Sequence, residues 1–177
     1  LFTQPGMRYC QAQALVYSLM KDELFRELGE QEKELVTGRI LEEVRGRMLE
    51  DIVLLETVKA LGSRYKVCKL QFASGEFDMV VYDSENNCCA AFEIKHSRKA
   101  LPEQARHLRD AEKCALTHRR FGELTERCVL YLGEGRKEED GILYRNAEEF
   151  LNGLPEFTLQ NGMTERPENT QNFGITM

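Results

Sequence analysis

The sequence predicts an α+β fold, a mixed central sheet with flanking helices and a helical segment ahead of it. Apolar residues recur at helical spacing through the first third of the chain, short β-prone runs separated by turn residues fill the middle, and a helix-strand-strand order follows. With 177 residues, 42% of them hydrophobic, the chain is long enough to bury a core. No run approaches the roughly 18 uninterrupted apolar residues of a spanning helix, so no membrane partner is expected. No basic-then-apolar leader is present, which points to a cytoplasmic location. The first residue is Leu, so the chain is expected to belong to something longer. Cys10, Cys68, Cys88, Cys89, Cys114 and Cys128 lack CxxC spacing, and Cys88 and Cys89 would point to opposite faces of a strand, so reduced thiols are expected rather than staples or a zinc site.

Taken in order, residues 9–28 read as an amphipathic helix, with Ala12, Leu15, Val16, Leu19 and Met20 at helical spacing and Gly29 as its stop. A second helical stretch runs over 32–61, broken or kinked near Gly38 or Gly46, with Leu41, Val44, Met48, Ile52 and Leu55 as its apolar stripe. Residues 65–72, 77–82 and 88–95 are β-prone, and Ala73-Ser74-Gly75 and Asp83 to Asn87 between them are turn chemistry, which makes a three-stranded meander. Pro102 suits a helix's first turn, so a helix is expected over 103–117. A buried-type strand over 127–132, a short strand at 141–144 and a helical turn or two at 147–151 follow. Residues 155–177 are rich in Gly, Pro, Asn, Gln and Thr and read as a tail.

The charge is uneven. The chain carries a net −6, which disfavours a dedicated nucleic-acid binder, yet eight basic residues stand against three acidic ones over 95–120. All three histidines, His96, His107 and His118, lie in that stretch. Arg98, Lys99, Arg106 and Arg109 are the candidate contacts to a DNA or RNA backbone, and a solvated helix face is the plainer account of the same charges.

Acidic residues also stand where strand alternation would bury apolar ones. Phe77, Met79 and Val81 share one face of their strand and Glu76, Asp78 and Val80 the other. In the third strand Ala90, Phe92 and Ile94 face the core, while Cys89, Ala91, Glu93 and Lys95 line the opposite face. Glu93 and Lys95 therefore project side by side with Asp78 across from them. Two adjacent carboxylates repel unless a cation separates them, and hard oxygen ligands suit Mg²⁺ or Mn²⁺. A lysine beside such an ion can orient or deprotonate a water for phosphodiester hydrolysis. A carboxylate from the long helix, Glu50 or alternatively Glu43 or Glu56, would complete the shell.

The arrangement of Glu50, then Glu76-Phe77-Asp78, then Glu93-Ile94-Lys95 resembles the PD-(D/E)XK nuclease superfamily, whose core runs helix, three-strand meander, helix, strand. More closely, TQPGMRYCQAQALVYSLM (3–20), GRMLEDIVLLE (46–56), LQFASGEFDMVVYD (70–83), FEIKHS (92–97) and PEQARHLRDAEKC (102–114) resemble the C-terminal nuclease-like domain, of unknown function, of a family of prokaryotic AAA+ ATPases. The resemblance spans about 3–152. It implies a restriction-endonuclease-like core over 38–154, a helical connector over 1–37 and a tail over 155–177. It further implies that Asp78 and Glu93 are metal ligands, Lys95 the catalytic lysine, Glu50 the helical acid and Gln104 an auxiliary polar residue. Leu108 stands where RecB-type nucleases place a Tyr. No GxxxxGK[ST] occurs, so no nucleotide site is expected in this chain, and the implied partner is an N-terminal AAA+ domain of the same parent. Three functions compete: a metal-dependent nuclease governed by the ATPase, an idle nuclease-like module that docks a protein or nucleic acid, and a structural domain that organises an oligomer.

Overall fold

In a computed structural model that describes residues 5–159, Pro5–Leu19 forms α1, Glu23–Glu27 forms α2 and Glu30–Leu61 forms α3. The single helix expected over 9–28 is therefore two. The Asp22 carboxylate accepts the backbone N–H groups of Leu24 and Phe25 at 3.0 and 3.3 Å, which starts a new helix instead of prolonging the old one. The break expected near Gly38 or Gly46 does not occur. Each interior glycine costs only about 1 kcal/mol, and α1 packs along α3 to support it. α3 is thus a single rod about 48 Å long at 1.5 Å per residue.

The stripe expected to face the core is only half-buried. Leu41, Val44, Met48, Ile52 and Leu55 are intermediate in exposure, while Val53, Leu54, Thr57 and Leu61 are buried and Leu49 packs against them. A helix with two adjacent apolar stripes does not reveal which one meets the sheet.

Lys66–Gln71 (β1), Glu76–Asp83 (β2) and Cys88–Ile94 (β3) form the antiparallel meander the turn chemistry predicts. Glu123–Tyr131 (β4) lies parallel to β3, and Leu143–Asn146 (β6) lies parallel to β4, with Arg136–Lys137 (β5) as an antiparallel edge. The result is a six-stranded mixed sheet in the order β1-β2-β3-β4-β6-β5. β4 begins earlier than the 127–132 expected, and β5 is too short to leave a pattern. The helix expected over 103–117 is also displaced. Pro102–Ala105 is a single 3-10 turn, and α4 is Ala111–Phe121, because Asp110 accepts the N–H groups of Glu112 and Lys113 at 3.0 and 3.2 Å. Asn146 caps the last helix, α5 (Ala147–Asn152), in the same way.

Both faces of the sheet are covered. On one, Val53, Leu54 and Leu61 of α3 meet Met79, Phe92, Ile94, Leu130 and Phe150. On the other, Leu108 and Phe121 meet Phe77, Val80, Ala91, Val129 and Tyr144. Cys88 and Cys89 fall on opposite faces as expected, and none of the six cysteines is in a disulfide. Phe77 does not share a face with Met79. Cys68 pairs with Val80 but Leu70 with Phe77, so β2 carries one extra residue opposite Lys69, and this bulge turns Phe77 to the other side. The start of the expected tail is anchored, since Phe157 packs edge-on against Tyr65 and Phe150 and Leu159 is buried. The remainder, 160–177, lies outside the described residues. Among them, no helix is long and apolar enough to cross a membrane.

The β2–β3 turn supplies a test of this register. Asp83, 4% exposed, accepts the N–H groups of Glu85 and Asn86 at 2.9 and 3.1 Å and the Asn86 side-chain amide at 2.8 Å. Burial alone would raise its pKa, but these bonds outweigh burial and hold the carboxyl below its ordinary value. A depressed folded-state pKa contributes stability that is present above the unfolded value and lost as pH falls through the folded one. Asp83→Ala is therefore expected to cost about 1–3 kcal/mol at neutral pH in urea unfolding, and the deficit should shrink in acid.

Candidate active site

The pairing of β2 with β3 ends at Met79 opposite Phe92. One residue further out a side chain takes over the ladder, because Asp78 Oδ2 accepts the backbone N–H of Ile94 at 2.8 Å. The same oxygen accepts from Lys95 Nζ at 2.9 Å, and that ammonium stands 2.5 Å from Glu93 Oε2. Asp78 and Glu93 are 5% and 1% exposed, whereas the Lys95 side chain keeps 30% of its surface. The three residues that alternation and the meander predict to meet do meet.

α3 adds the helical acid. Glu50, Glu76 and Asp78 bring one carboxylate oxygen each within 4.8 Å of one another. Glu43 and Glu56 pair instead with Arg47 and Lys59 on the exposed side, so of the three helical acids it is Glu50 that lies beside Asp78. Sequence reasoning put Glu76 on the face of Asp78 without giving it a role, and missed Lys69. Glu76 lies two residues before Asp78, a spacing that signals it. Lys69, whose Nζ is 3.2 Å from Glu50 Oε2 and 3.9 Å from Glu76 Oε1, arrives through the register of β1, which no local pattern encodes.

Four carboxylates thus share two lysines. Burial raises the pKa of Glu50, the negative charge of Asp78 adds to the effect, and Lys69 only partly offsets it. Burial likewise raises that of Glu93, with Lys95 opposing and Asp78 reinforcing. For Lys95 burial favours the neutral amine, but Asp78 and Glu93 outweigh it and the pKa rises, so the lysine is a held cation. Glu93 Oε1 is buried with no hydrogen-bond partner. The hard oxygens of Glu50, Glu76 and Asp78 fit a small divalent cation, whereas Glu93, expected as a ligand, lies outside that group and is joined to it through Lys95.

Next to Glu93 and Lys95 opens a cavity of about 240 Å³, lined also by Glu103, Gln104, Arg106 and His107. Gln104 reaches this cavity, but both ends of its amide serve the backbone: Nε2 donates to the Lys99 carbonyl and Oε1 accepts the Leu101 N–H, each at 3.0 Å. It shapes the loop after β3. Arg98 and Lys99 are exposed on that loop. Arg109 is bound to Asp140 at 2.7 Å and to the Pro102 carbonyl at 2.6 Å, so its donors hold structure together. His96 Nδ1 stands 3.4 Å from Glu42 on α3. His107 precedes α4 whereas His118 is exposed on it, so the two do not share one helix face. Burial lowers the pKa of His107, and the positive charges of Lys113, Arg106 and Lys95 lower it further.

No family profile, no curated protein and no solved structure matches this chain.

Lys95→Met isolates the question of charge. Removing the ammonium leaves two nearly buried carboxylates facing each other, so the variant should lose about 3 kcal/mol of stability at neutral pH. Its Glu93 pKa should rise further above the unfolded value. A raised carboxyl destabilises above that unfolded value and ceases to do so below it. Urea unfolding from pH 7 to pH 4 should accordingly show the deficit shrinking as the acid is protonated; a deficit that stays constant would mean that the loss is one of packing alone.

Proposed function

We propose that this chain is a PD-(D/E)XK nuclease-like domain that hydrolyses phosphodiester bonds of DNA or RNA with Mg²⁺ or Mn²⁺. The observation that carries the reading is the convergence of Glu50, Asp78, Glu93 and Lys95 at one end of the meander. The succession α3, β1–β2–β3, α4, β4 has the helix, meander, helix, strand order of that superfamily, which supports a restriction-endonuclease-like core.

In this reading Asp78 and Glu93 hold the cation and Glu50 closes its α3 side, with Glu76 beside it. A bound Mg²⁺ supplies Lewis-acid polarisation of the phosphate and a water of lowered pKa. Lys95, kept protonated by its two acidic neighbours, acts as a donor: it orients the attacking water and offsets charge that develops on the phosphate oxygens. Arg98, Lys99 and Arg106 would meet the backbone of the nucleic-acid strand in this reading. As in the ATPase family that the sequence resembles, an AAA+ domain elsewhere in the parent chain would govern access.

One observation favours the idle docking module. Lys95 and Lys69 already pair with all four acids, so the network can persist as a structural knot without a cation. Digestion of single- and double-stranded DNA and RNA with Mg²⁺ or Mn²⁺, with EDTA as control, separates the two. Cleavage is expected to fall by roughly 100-fold or more in Lys95→Ala, while Mn²⁺ affinity measured by calorimetry holds or rises slightly, because one positive charge near the ion is gone. Asp78→Asn should weaken both. No cleavage by any form, together with no metal binding, would leave the docking module as the function.

A further inference from the structure

His107 takes no part in the carboxylate cluster, yet its surroundings are built. Its Nδ1 lies 2.5 Å from Lys113 Nζ and its Nε2 3.3 Å from Arg106 Nε. The ring also rests on the β1–β2 turn: at Gly75, where φ is +80°, an added Cβ would fall 2.6 Å from His107 Cε1 and 2.9 Å from Nε2. Lys113 is itself buried, 5.6 Å from the centre of the Phe72 ring and 3.6 Å from Asp110. The imidazole is thus fixed from three sides.

These neighbours create a donor-acceptor conflict. An ammonium and a guanidinium only donate, and a neutral imidazole has a single accepting nitrogen. Lys113, at 2.5 Å, takes Nδ1. Arg106 Nε–H is aimed at Nε2 across 3.3 Å, and with the ring proton assigned to Nε2 by the shorter Lys113 contact the two N–H groups oppose each other. Two donors that close cannot satisfy each other. A single acceptor oxygen within reach of both N–H groups would satisfy the pair, and both residues line the cavity that Lys95 also lines.

We infer that Arg106 and His107 form a two-donor bite for a phosphate oxygen, with Lys95 as the adjacent cation. The cavity, about 240 Å³, has room for a phosphate group. The bite itself stands on the geometry of the ring and its neighbours. Only its use, holding a phosphate of the strand beside the scissile bond, rests on the nuclease reading above. Glu93 and Glu103 share the lining and oppose an anion, so binding is weak and favours the singly charged diester over a terminal phosphate. Lys113 and Asp110 behind the ring, Asp78 and Lys95 at its side and Arg106 at its Nε2 edge are the charged groups that it senses.

The test uses the full chain without divalent metal, with long-range ¹H–¹⁵N NMR of the histidine rings. Dimethyl phosphate and methyl phosphate are titrated separately, with chloride as control. His107 is expected as the Nε2–H tautomer, with a saturable shift on adding dimethyl phosphate, a weaker response to methyl phosphate, and none at exposed His118. Arg106→Gln, a change at an exposed position, should weaken the diester's effect tenfold or more. An Nδ1–H tautomer, or no saturable shift with either probe, overturns the bite, and a response to methyl phosphate alone overturns its assignment to a strand-internal diester. Because neither metal nor cleavage enters the measurement, a failed digestion assay leaves this result intact, and a failed titration leaves the metal site untouched.

Discussion

The ammonium of Lys95 lies between two carboxylates that the sheet has almost removed from water, and much of the end of the molecule is arranged around that contact. Asp78 could not remain buried as an unpaired charge, and Ile94 could not leave its N–H unmet where β2 and β3 part. One oxygen of Asp78 answers both needs by accepting from the Ile94 backbone and from Lys95. The sheet is thereby held together past the last ladder pair while a polar opening is left beside it. Glu93 shares the lysine and keeps one oxygen without a partner, so the knot is closed on one side and open in bonding capacity on the other.

A single extra residue in β2 extends this arrangement toward α3. It moves Phe77 to the face of Val80 and sets Lys69 against the site, where it meets Glu50 and Glu76. On the opposite face of the sheet, the glycine that makes the β1–β2 turn leaves room for the His107 ring. The α3 side contributes Glu50, Glu76 and Asp78, while the side of the segment before α4 mixes Arg106 and His107 with Glu93 and Glu103.

The meander, the turn chemistry and the order of helices were legible because each rests on a local period or a short turn signal. Glu93 and Lys95 were legible for the same reason: two residues apart on a strand, they project together wherever that strand lies. The sequence also restricted the helical acid to three candidates, each about two turns from the next. Asp22 and Asp110, whose side chains start α2 and α4, are ordinary N-cap residues, and their signals lay within segments read as uninterrupted helix.

Partner-dependent features are what only the tertiary structure decided. Lys69 reaches Glu50 through a strand register, and register belongs to two strands at once. Which stripe of α3 is buried depends on where α1 and the sheet lie, and so does the selection of Glu50 over Glu43 and Glu56. The setting of His107, between Lys113, Arg106 and Gly75, draws on three separate stretches of chain. By itself the sequence determined which residues project together from one strand, because alternation is a property of the backbone alone. Packing determined which of those groups face one another, because burial of both sheet faces leaves few places where a charged side chain can be satisfied.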